Sequence, residues 1–405
     1  MILFIDLAII LGLARVLGML ARRLGQPAVL GEITAGILLG PTFFGTTVVE
    51  WLFPADTRQQ LTAFAAVGVA IFMLTVGTEI DPALLRGRHR TVGLITVSSV
   101  VLPFGLGAAL ALYLWRAESA PPLGYVLFMG VAMSITAFPV LARIVSDHGR
   151  LTTRLGNIAI TSAALIDALA WVLLATVLAV AGGAGQDPWR LAAFLPFVVL
   201  TFTVVPFIAR KTKAWEESQA GDVGVLAAVC CGLLLAGAAT EWMGLHYIFG
   251  AFVFGVALAR TGAGSSRFPQ TVRGLTELNS ALLLPVFFLV AGLQVDLSQL
   301  DGLTIVDVLV VVVLAVAGKF LAAYGAARVS GLDARQSAVI GILMNTRGLT
   351  ELLVLGVGRE AGLISPAIYS LMVVMAVLTT AMAGPSLRIL SPANSPADVW
   401  LARKP

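Results

Sequence analysis

Long runs of apolar residues, separated by short polar segments, recur from the first residues of the chain to about position 390. Many of these runs approach the ~20 residues that an α-helix needs to cross ~30 Å of hydrocarbon. Punctuation by Gly, Pro and charged residues predicts about thirteen spans. They cover residues 2–21, 27–44, 60–78, 91–115, 122–145, 156–182, 189–209, 222–240, 243–260, 276–293, 304–331, 335–358 and 367–390. The pattern predicts an all-α polytopic membrane protein.

The Lys and Arg residues provide a test of this map. About nineteen of the 26 fall in loops on one side of the predicted spans, and about four fall on the other, namely Arg58, Arg116, Arg190 and Arg359. Cytoplasmic loops of membrane proteins carry the excess of Lys and Arg. We therefore expect a multi-pass protein of the plasma membrane with its N-terminus outside and its C-terminus in the cytoplasm.

Composition supports a membrane protein and excludes several functions. Hydrophobic residues make up 59% of the chain and charged residues 12%, against about 45–50% and about 25% in soluble domains. The net charge of +4 follows from the basic loops, and no basic run with interleaved aromatics predicts a nucleic-acid partner. The sequence shows no phosphate-binding loop, no nucleophile triad and no cluster of His or Cys. We therefore expect neither an enzyme nor a cofactor, and any regulatory subunit would be a separate chain.

A motif in the third predicted span recurs 215 residues later: Phe72, Leu74, Gly77 and Asp81 match Phe287, Leu289, Gly292 and Asp296. The same spacing places Gly40 on Gly255, and a spacing of 211 places Met133 on Met344. The predicted organisation is a first six-helix repeat (1–182), a linker helix (183–221), a second repeat (222–390) and a short cytoplasmic tail (391–405). An odd linker inverts the second copy, as in many secondary transporters.

Two spans in corresponding positions of the repeats contain helix breakers. The fifth has Ser134, Thr136, Phe138 and Pro139 at membrane depth, where proline removes a helical hydrogen bond. The twelfth has Asn345, Thr346, Arg347 and Gly348 in the corresponding place. Either segment alone would be read as a packing kink. Paired breaks in both repeats indicate the binding site of a transporter, because the freed backbone carbonyls can face a cation.

Asp167 lies near the centre of the sixth span. A charged carboxylate is costly there, so it should face a cavity, have a partner or take up a proton. One carboxylate can thus bind either a proton or a monovalent cation.

Lys319 lies about a dozen residues from each end of the eleventh span, too deep for its side chain to reach water. Two roles stay open for it, a brace for the broken helices or a second proton carrier. Arg347 and Glu351 are four residues apart and are predicted to form an ion pair, with charge compensation or proton transfer as further roles. Glu32 and Arg15 lie near helix ends and are predicted to reach the interface.

Four segments in order make the chain resemble the second monovalent cation/proton antiporter family, and most closely its plant and fungal cation/H⁺ exchanger branch. They are GEITAGILLGP (31–41), SITAFPVLARI (134–144), IDALAW (166–171) and MNTRGLTELLVL (344–355). The resemblance implies a Na⁺/H⁺ antiporter-like fold with crossed discontinuous helices, and a homodimer whose core domain moves like an elevator against a scaffold.

The resemblance also implies roles for individual residues. Asp167 matches the ion-binding aspartate of the family, and Lys319 its lysine in the eleventh span. The first crossover corresponds to Thr136 and the backbone around Phe138, and the second to residues 345–347. The candidate ion- and proton-binding set is therefore Ser134, Thr136, Phe138, Ser162 and Asp167.

The chain departs from the family at Ile166, where an Asp, Asn or Gln usually precedes the binding aspartate. With one carboxylate, exchange of one cation for one proton would be electroneutral unless Lys319 also releases a proton, and Asp167 is free to pair with Lys319 directly. Two other functions stay open: a gated cation efflux pathway, or a scaffold repurposed for an organic solute or membrane enzymology. Selectivity between Na⁺ and K⁺ depends on cavity geometry and is not encoded in a short motif.

Overall fold

The structure is a computed structural model that describes residues 2–78, 89–115, 122–147, 153–181, 192–211, 221–260, 267–299 and 304–390. Helices account for nearly all of these residues. In chain order they are α1 (Ile2–Arg23), α2 (Ala28–Leu39), α3 (Pro41–Leu52), α4 (Ala55–Thr78), α5 (His89–Leu114), α6 (Pro122–Ser134), α7 (Phe138–Asp147), α8 (Arg154–Ala181), α9 (Phe194–Lys211), α10 (Gly221–Trp242), α11 (Tyr247–Ala259), α12 (Arg267–Leu278), α13 (Leu284–Leu293), α14 (Ile305–Val329), α15 (Ala334–Met344), α16 (Leu349–Glu360) and α17 (Pro366–Leu390). A π-helical turn, Asn279–Leu283, joins α12 to α13.

The predicted class, an all-α polytopic membrane protein, is confirmed. Within the described ranges, nine helices are long and apolar enough to cross a membrane. The pair α15 and α16, bent by 41° at its break, makes a tenth. Three shorter apolar helices, Leu123–Ser134, Phe194–Ile208 and Tyr247–Ala259, accompany them. The full number of thirteen spans stays a prediction, as does the linker helix. The predicted tail 391–405 lies outside the described residues.

The helices that carry Lys319 and Asn345 begin at well-formed caps. The Thr304 side chain accepts a hydrogen bond from the Asp307 backbone, and the Asp307 side chain accepts one from the Thr304 backbone. Asp333 and Gln336 form the same reciprocal capping box at the start of α15. Each box satisfies backbone donors that a helix N-terminus otherwise leaves without partners, and so fixes where the helix starts.

The chain divides into two compact units, and each contains segments of both predicted repeats. The first unit comprises Met1–Leu11, Phe53–Asp81 and Leu178–Val290. The second comprises Gly12–Leu52, Pro82–Val177 and Ala291–Pro405. All of the candidate site residues belong to the second unit. The repeats are therefore divisions of the sequence, whereas the units are divisions of the packing.

One close glycine contact of the second unit recurs in the first unit. In the second unit, a Cβ at Gly31 would overlap the backbone of Leu17. In the first unit, a Cβ at Gly250 would overlap the backbone of Ala236 in the same way. The two contacts are related by a constant spacing: Ala236 follows Leu17 by 219 residues, and Gly250 follows Gly31 by the same number. The first two helices of each repeat therefore pack through the same backbone contact.

A second pair of contacts corrects one correspondence predicted from the sequence. A Cβ at Gly77 would lie 2.5 Å from Phe252 O and 2.9 Å from Gly255 Cα. A Cβ at Gly292 would lie 2.5 Å from Ile33 O and 2.8 Å from Gly36 Cα. The counterpart of Gly255 is therefore Gly36, not Gly40. The motif carrying Gly77 and Gly292 keeps the predicted spacing of 215, although its Asp81 lies outside the described residues.

Candidate ion-binding site

The first helix break lies between α6, which ends at Ser134, and α7, which begins at Phe138. Residues 135–137 between them are not helical. Pro139 is the second residue of α7, in the first turn, where a helix needs no N–H partner and tolerates proline. Our expectation that Pro139 breaks a helical hydrogen bond within the fifth span is therefore wrong in detail, because the break precedes Pro139, which lies in the first turn of the second half-helix.

The second break separates α15, ending at Met344, from α16, beginning at Leu349. Gly348 precedes α16 with φ 167°, an extended conformation open to any residue. Its need for glycine is steric, because a Cβ there would lie 2.5 Å from Val140 Cγ2 on α7. Glycine thus lets the start of α16 lie directly against the other broken helix.

The two breaks cross and bond to each other. The Thr136 hydroxyl donates to Met344 O at 2.9 Å, the last carbonyl of α15. The Ala137 N–H donates to Thr346 O at 3.0 Å. Thr136 and Thr346 are both fully buried. Each break therefore satisfies backbone groups that the other leaves open, and the predicted crossed discontinuous helices are present.

Lys319 is fully buried on α14 and reaches the end of α6. Its Nζ donates to Ser99 O at 3.0 Å, to Thr136 Oγ1 at 2.8 Å and to Ser134 O. A protonated ammonium has three N–H donors, and each has an acceptor here. The last carbonyl of α6 carries the negative end of the helix dipole, which a cation stabilises.

Arg347 holds the two preceding carbonyls of the same helix. Its Nη1 donates to Ala132 O at 3.1 Å and its Nη2 to Met133 O at 3.0 Å. Nη1 also forms the predicted ion pair with Glu351 Oε2, at 2.8 Å, between two fully buried side chains. Three consecutive carbonyls of α6, from Ala132 to Ser134, are therefore bound by two buried cations.

Asp167 is 1% exposed on α8. The charges of Asp167, Glu351 and Arg347 all lie close enough to act on Lys319. The site thus contains two buried cations and two buried carboxylates around the crossed breaks. A direct ion pair between Asp167 and Lys319 stays a prediction.

Ile166 belongs to the apolar cluster that packs behind the breaks, and it is fully buried. The same cluster includes Phe138 of α7, Ala163 of α8 and Ile340 of α15. The resemblance implies a polar residue at this position, whereas Ile166 packs with the apolar cluster. No second acid stands beside Asp167 in the sequence, and the environment of Ile166 is apolar.

Ser162 is fully buried, and its Oγ has no hydrogen-bond partner among the residues that the structure describes. It precedes Asp167 by five residues, which at 3.6 residues per turn places the two side chains about 140° apart around the helix. Its membership of the ion-binding set stays a prediction. The hydroxyls of Ser134 and Thr136 are already engaged as donors, to Gly130 O at 2.7 Å and to Met344 O at 2.9 Å, and both can still accept.

Sequence reasoning missed two partners of the buried cations. The Thr380 hydroxyl on α17 accepts from Arg347 N at 2.9 Å and lies 2.7 Å from Arg347 O. Ser99 supplies a carbonyl to Lys319 from α5. Paired hydroxyl residues inside apolar runs, Ser98–Ser99 and Thr379–Thr380, are the signal that could have found both positions.

Comparison with known proteins adds the family to this geometry. The family described as the sodium/hydrogen exchanger, transmembrane, matches residues 8–391. The chain belongs to this family. Its match agrees with the resemblance read from the four segments and places the chain among transporters rather than enzymes.

Relatives of this antiporter family extend the match over nearly the whole chain. The chain is 35% identical over 399 residues to the Na⁺/H⁺ antiporter NhaS4 of Synechocystis, covering 96% of this chain and 97% of that protein. It is 37% identical to the Arabidopsis cation/H⁺ antiporter 17 over 97% of this chain and 49% of that protein. The chain therefore spans about half the length of the plant relative.

The fold is also that of a solved antiporter. The sodium proton antiporter MjNhaP1 of Methanocaldococcus jannaschii aligns with a TM-score of 0.67 at 17% identity, over 96% of this chain and 97% of that one. At this identity the likeness shows the fold alone. The predicted Na⁺/H⁺ antiporter-like fold is confirmed.

Proposed function

We propose that this protein exchanges Na⁺ or K⁺ for protons, with Asp167 as the one carboxylate that binds either ion. The observation that carries the proposal is the crossing of the two helix breaks at Thr136 and Thr346, within the charge network of Asp167 and Lys319. Broken helices at membrane depth leave backbone carbonyls for a cation, and a buried carboxylate is costly to keep charged without one.

The charge balance supports an exchange of one cation for one proton. Lys319 and Arg347 supply two positive charges, and Asp167 and Glu351 supply two negative charges, all at 0–1% exposure. Protonation of Asp167 and binding of a monovalent cation each add one positive charge to this set. The loaded site carries the same charge in both forms, so each exchange cycle moves no net charge.

Lys319 acts in this proposal as a brace rather than as a second proton carrier. All three of its N–H donors are bound, and two of the acceptors belong to the first break. Release of its proton would leave one of these acceptors without a donor in a buried site. The same reasoning makes the Arg347–Glu351 pair a fixed part of the crossover.

Alternating access would follow from a core that moves as a rigid body, and we propose an elevator-type motion within a homodimer. The crossover, Lys319, Arg347 and Asp167 all lie in the second compact unit. The bonds between the breaks tie both discontinuous helices to one another. Such a body can carry the ion past a barrier without rebuilding its binding site.

The test is exchange in proteoliposomes that contain a pH-sensitive dye. Addition of Na⁺ or K⁺ is expected to move protons in the wild type, and the Asp167→Asn variant is expected to fall to the rate of empty liposomes. Asp56→Asn, which removes an exposed carboxylate at the start of α4, serves as the matched control and should keep full activity.

A potential-sensitive dye in the same liposomes should stay silent during exchange, because the cycle is electroneutral. Exchange that survives in folded Asp167→Asn, or wild-type protein that moves no protons with any monovalent cation, contradicts the proposal. Cation flux without proton movement would instead favour a gated pathway. A charge signal would show that a second group, with Lys319 as the first candidate, also releases a proton.

A further inference from the structure

A groove of about 400 Å³ lies in the second unit between α14, α15 and α17. Its walls are mostly apolar and include Val316 and Phe320 of α14, Ala338 and Ile342 of α15, and Met382 of α17, with Ser386 of α17 as a polar residue. The volume is within the range of about 300–1,000 Å³ typical of sites for small organic molecules. The proposed ion site does not use this space.

A second polar residue of the groove lining, Asn345, belongs to the second break. Ala338, Ile342 and Asn345 follow one face of α15 and bring the groove along about 10 Å of the helix, at 1.5 Å per residue. Asn345 is 7% exposed, and its Oδ1 has no hydrogen-bond partner among the described residues. A buried amide oxygen without a partner is unfavourable, and a ligand that donates a hydrogen bond would satisfy it.

The chemistry around Asn345 selects the kind of ligand. Apolar walls disfavour any charged group. A cationic ligand is disfavoured further by Arg347, two residues along the chain, and by Lys319, which precedes the groove residue Phe320. A hydroxyl is neutral and both donates and accepts a hydrogen bond, so it can pair with either end of the Asn345 amide.

We propose that this groove binds a neutral, membrane-soluble alcohol, with the aliphatic body between α14, α15 and α17 and the hydroxyl on Asn345. Asn345 directly precedes Thr346, whose carbonyl accepts the hydrogen bond from Ala137 that joins the two breaks. An occupant held on Asn345 fixes the second break in one conformation and slows exchange. This consequence rests on the proposed antiport, whereas binding itself does not.

The binding test uses photolabelling of the purified protein in bilayers with an octanol that carries a diazirine. Labelled peptides are expected to map to α14, α15 and α17, and Ala338→Phe, which fills the groove, should reduce this labelling at least tenfold. Leu321→Phe changes an exposed residue of α14 outside the groove and should label like the wild type. The corresponding diazirine alkane, without a hydroxyl, should label these peptides several-fold less.

Two results would overturn the site. Equal labelling by the alcohol and the alkane would show that the groove takes any hydrocarbon chain, including lipid acyl chains. Labelling that Ala338→Phe leaves unchanged would place the alcohol elsewhere on the protein. Neither result depends on transport, so the labelling experiment can fail or succeed independently of the proposed antiport activity.

The effect on exchange follows from a series of straight-chain alcohols. Potency should rise about fourfold with each added CH₂ as apolar area is buried, and then stop rising once the groove is filled. The chain length at which potency stops rising should be shorter in Ala338→Phe and unchanged in Leu321→Phe. The same cutoff in all three proteins would contradict inhibition through the groove and attribute it to the bilayer.

Discussion

Lys319 and Arg347 illustrate what a buried cation does in this site. Each binds carbonyls at the end of α6, and together they bind the three carbonyls from Ala132 to Ser134. These carbonyls have no helical partners, because α6 stops at Ser134. The cations therefore stabilise a helix end at membrane depth, where water would otherwise have to supply the donors.

Loss of the Lys319 ammonium should destabilise the folded protein. Lys319→Met leaves Ser99 O, Ser134 O and Thr136 Oγ1 without this donor and leaves the buried carboxylates in excess, which should cost about 3–5 kcal/mol of unfolding free energy. Thermal unfolding in detergent measures the effect. Arg273→Met, which removes a cation that is 83% exposed, should change stability by less than about 0.5 kcal/mol. Equal stability of the two variants would refute the brace.

The partners of these cations are the part of the site that sequence does not predict. The depth of Lys319 in an apolar span shows that it needs an acceptor, but Ser134 is 185 residues away in the chain. Which carbonyl it reaches depends on how α5, α6 and α14 pack. The Arg347–Glu351 pair was predictable because i, i+4 neighbours on a helix meet whatever the tertiary fold.

At the crossover, the close approach of α16 to α7 depends on Gly348, which has no side chain. Gly348→Ala should destabilise the protein by about 1–3 kcal/mol, because its Cβ would overlap Val140 of α7. The backbone there is extended, so the cost is steric and Val140→Ala should restore much of the loss in the double variant. Thermal unfolding of the four proteins of this cycle gives the coupling.

Gly356→Ala provides the control for this cycle. It lies in the same helix with nothing within 4 Å of the added Cβ, and alanine favours a helix over glycine by up to about 1 kcal/mol. Gly356→Ala should therefore be neutral or stabilising. Independent, additive effects of Gly348→Ala and Val140→Ala would show that the two half-helices do not meet as described.

The helices themselves were largely predictable, whereas their breaks were predictable only in part. Apolar runs give the long spans directly, because each must cover the bilayer. The sequence placed the breaks in the correct spans, yet it attributed the first to Pro139, which lies in the first turn of α7. The correspondence of Gly36 with Gly255 was missed as well, because spacing between helices differs along the repeat and backbone contacts fix the register.

For the protein as a whole, family and fold agree with a cation/proton antiporter, and the charge balance in the second unit supports the one-for-one exchange that we propose. Two cations and two carboxylates are buried together, and Ile166, the residue before Asp167, packs in the apolar cluster. In the proposed mechanism, Asp167 is the group of this set that exchanges a proton for a cation. The proposal therefore predicts that each bound cation displaces one proton.

The measurement that tests this most directly is calorimetric titration of the purified protein with Na⁺ or K⁺ in two buffers of different ionisation enthalpy. At a pH where Asp167 is protonated, the difference in heat between the buffers should correspond to one proton released per cation bound. Asp167→Asn should bind no cation and release no proton. Cation binding with no proton release in the wild type, or an unchanged release in Asp167→Asn, would contradict the single-carboxylate account.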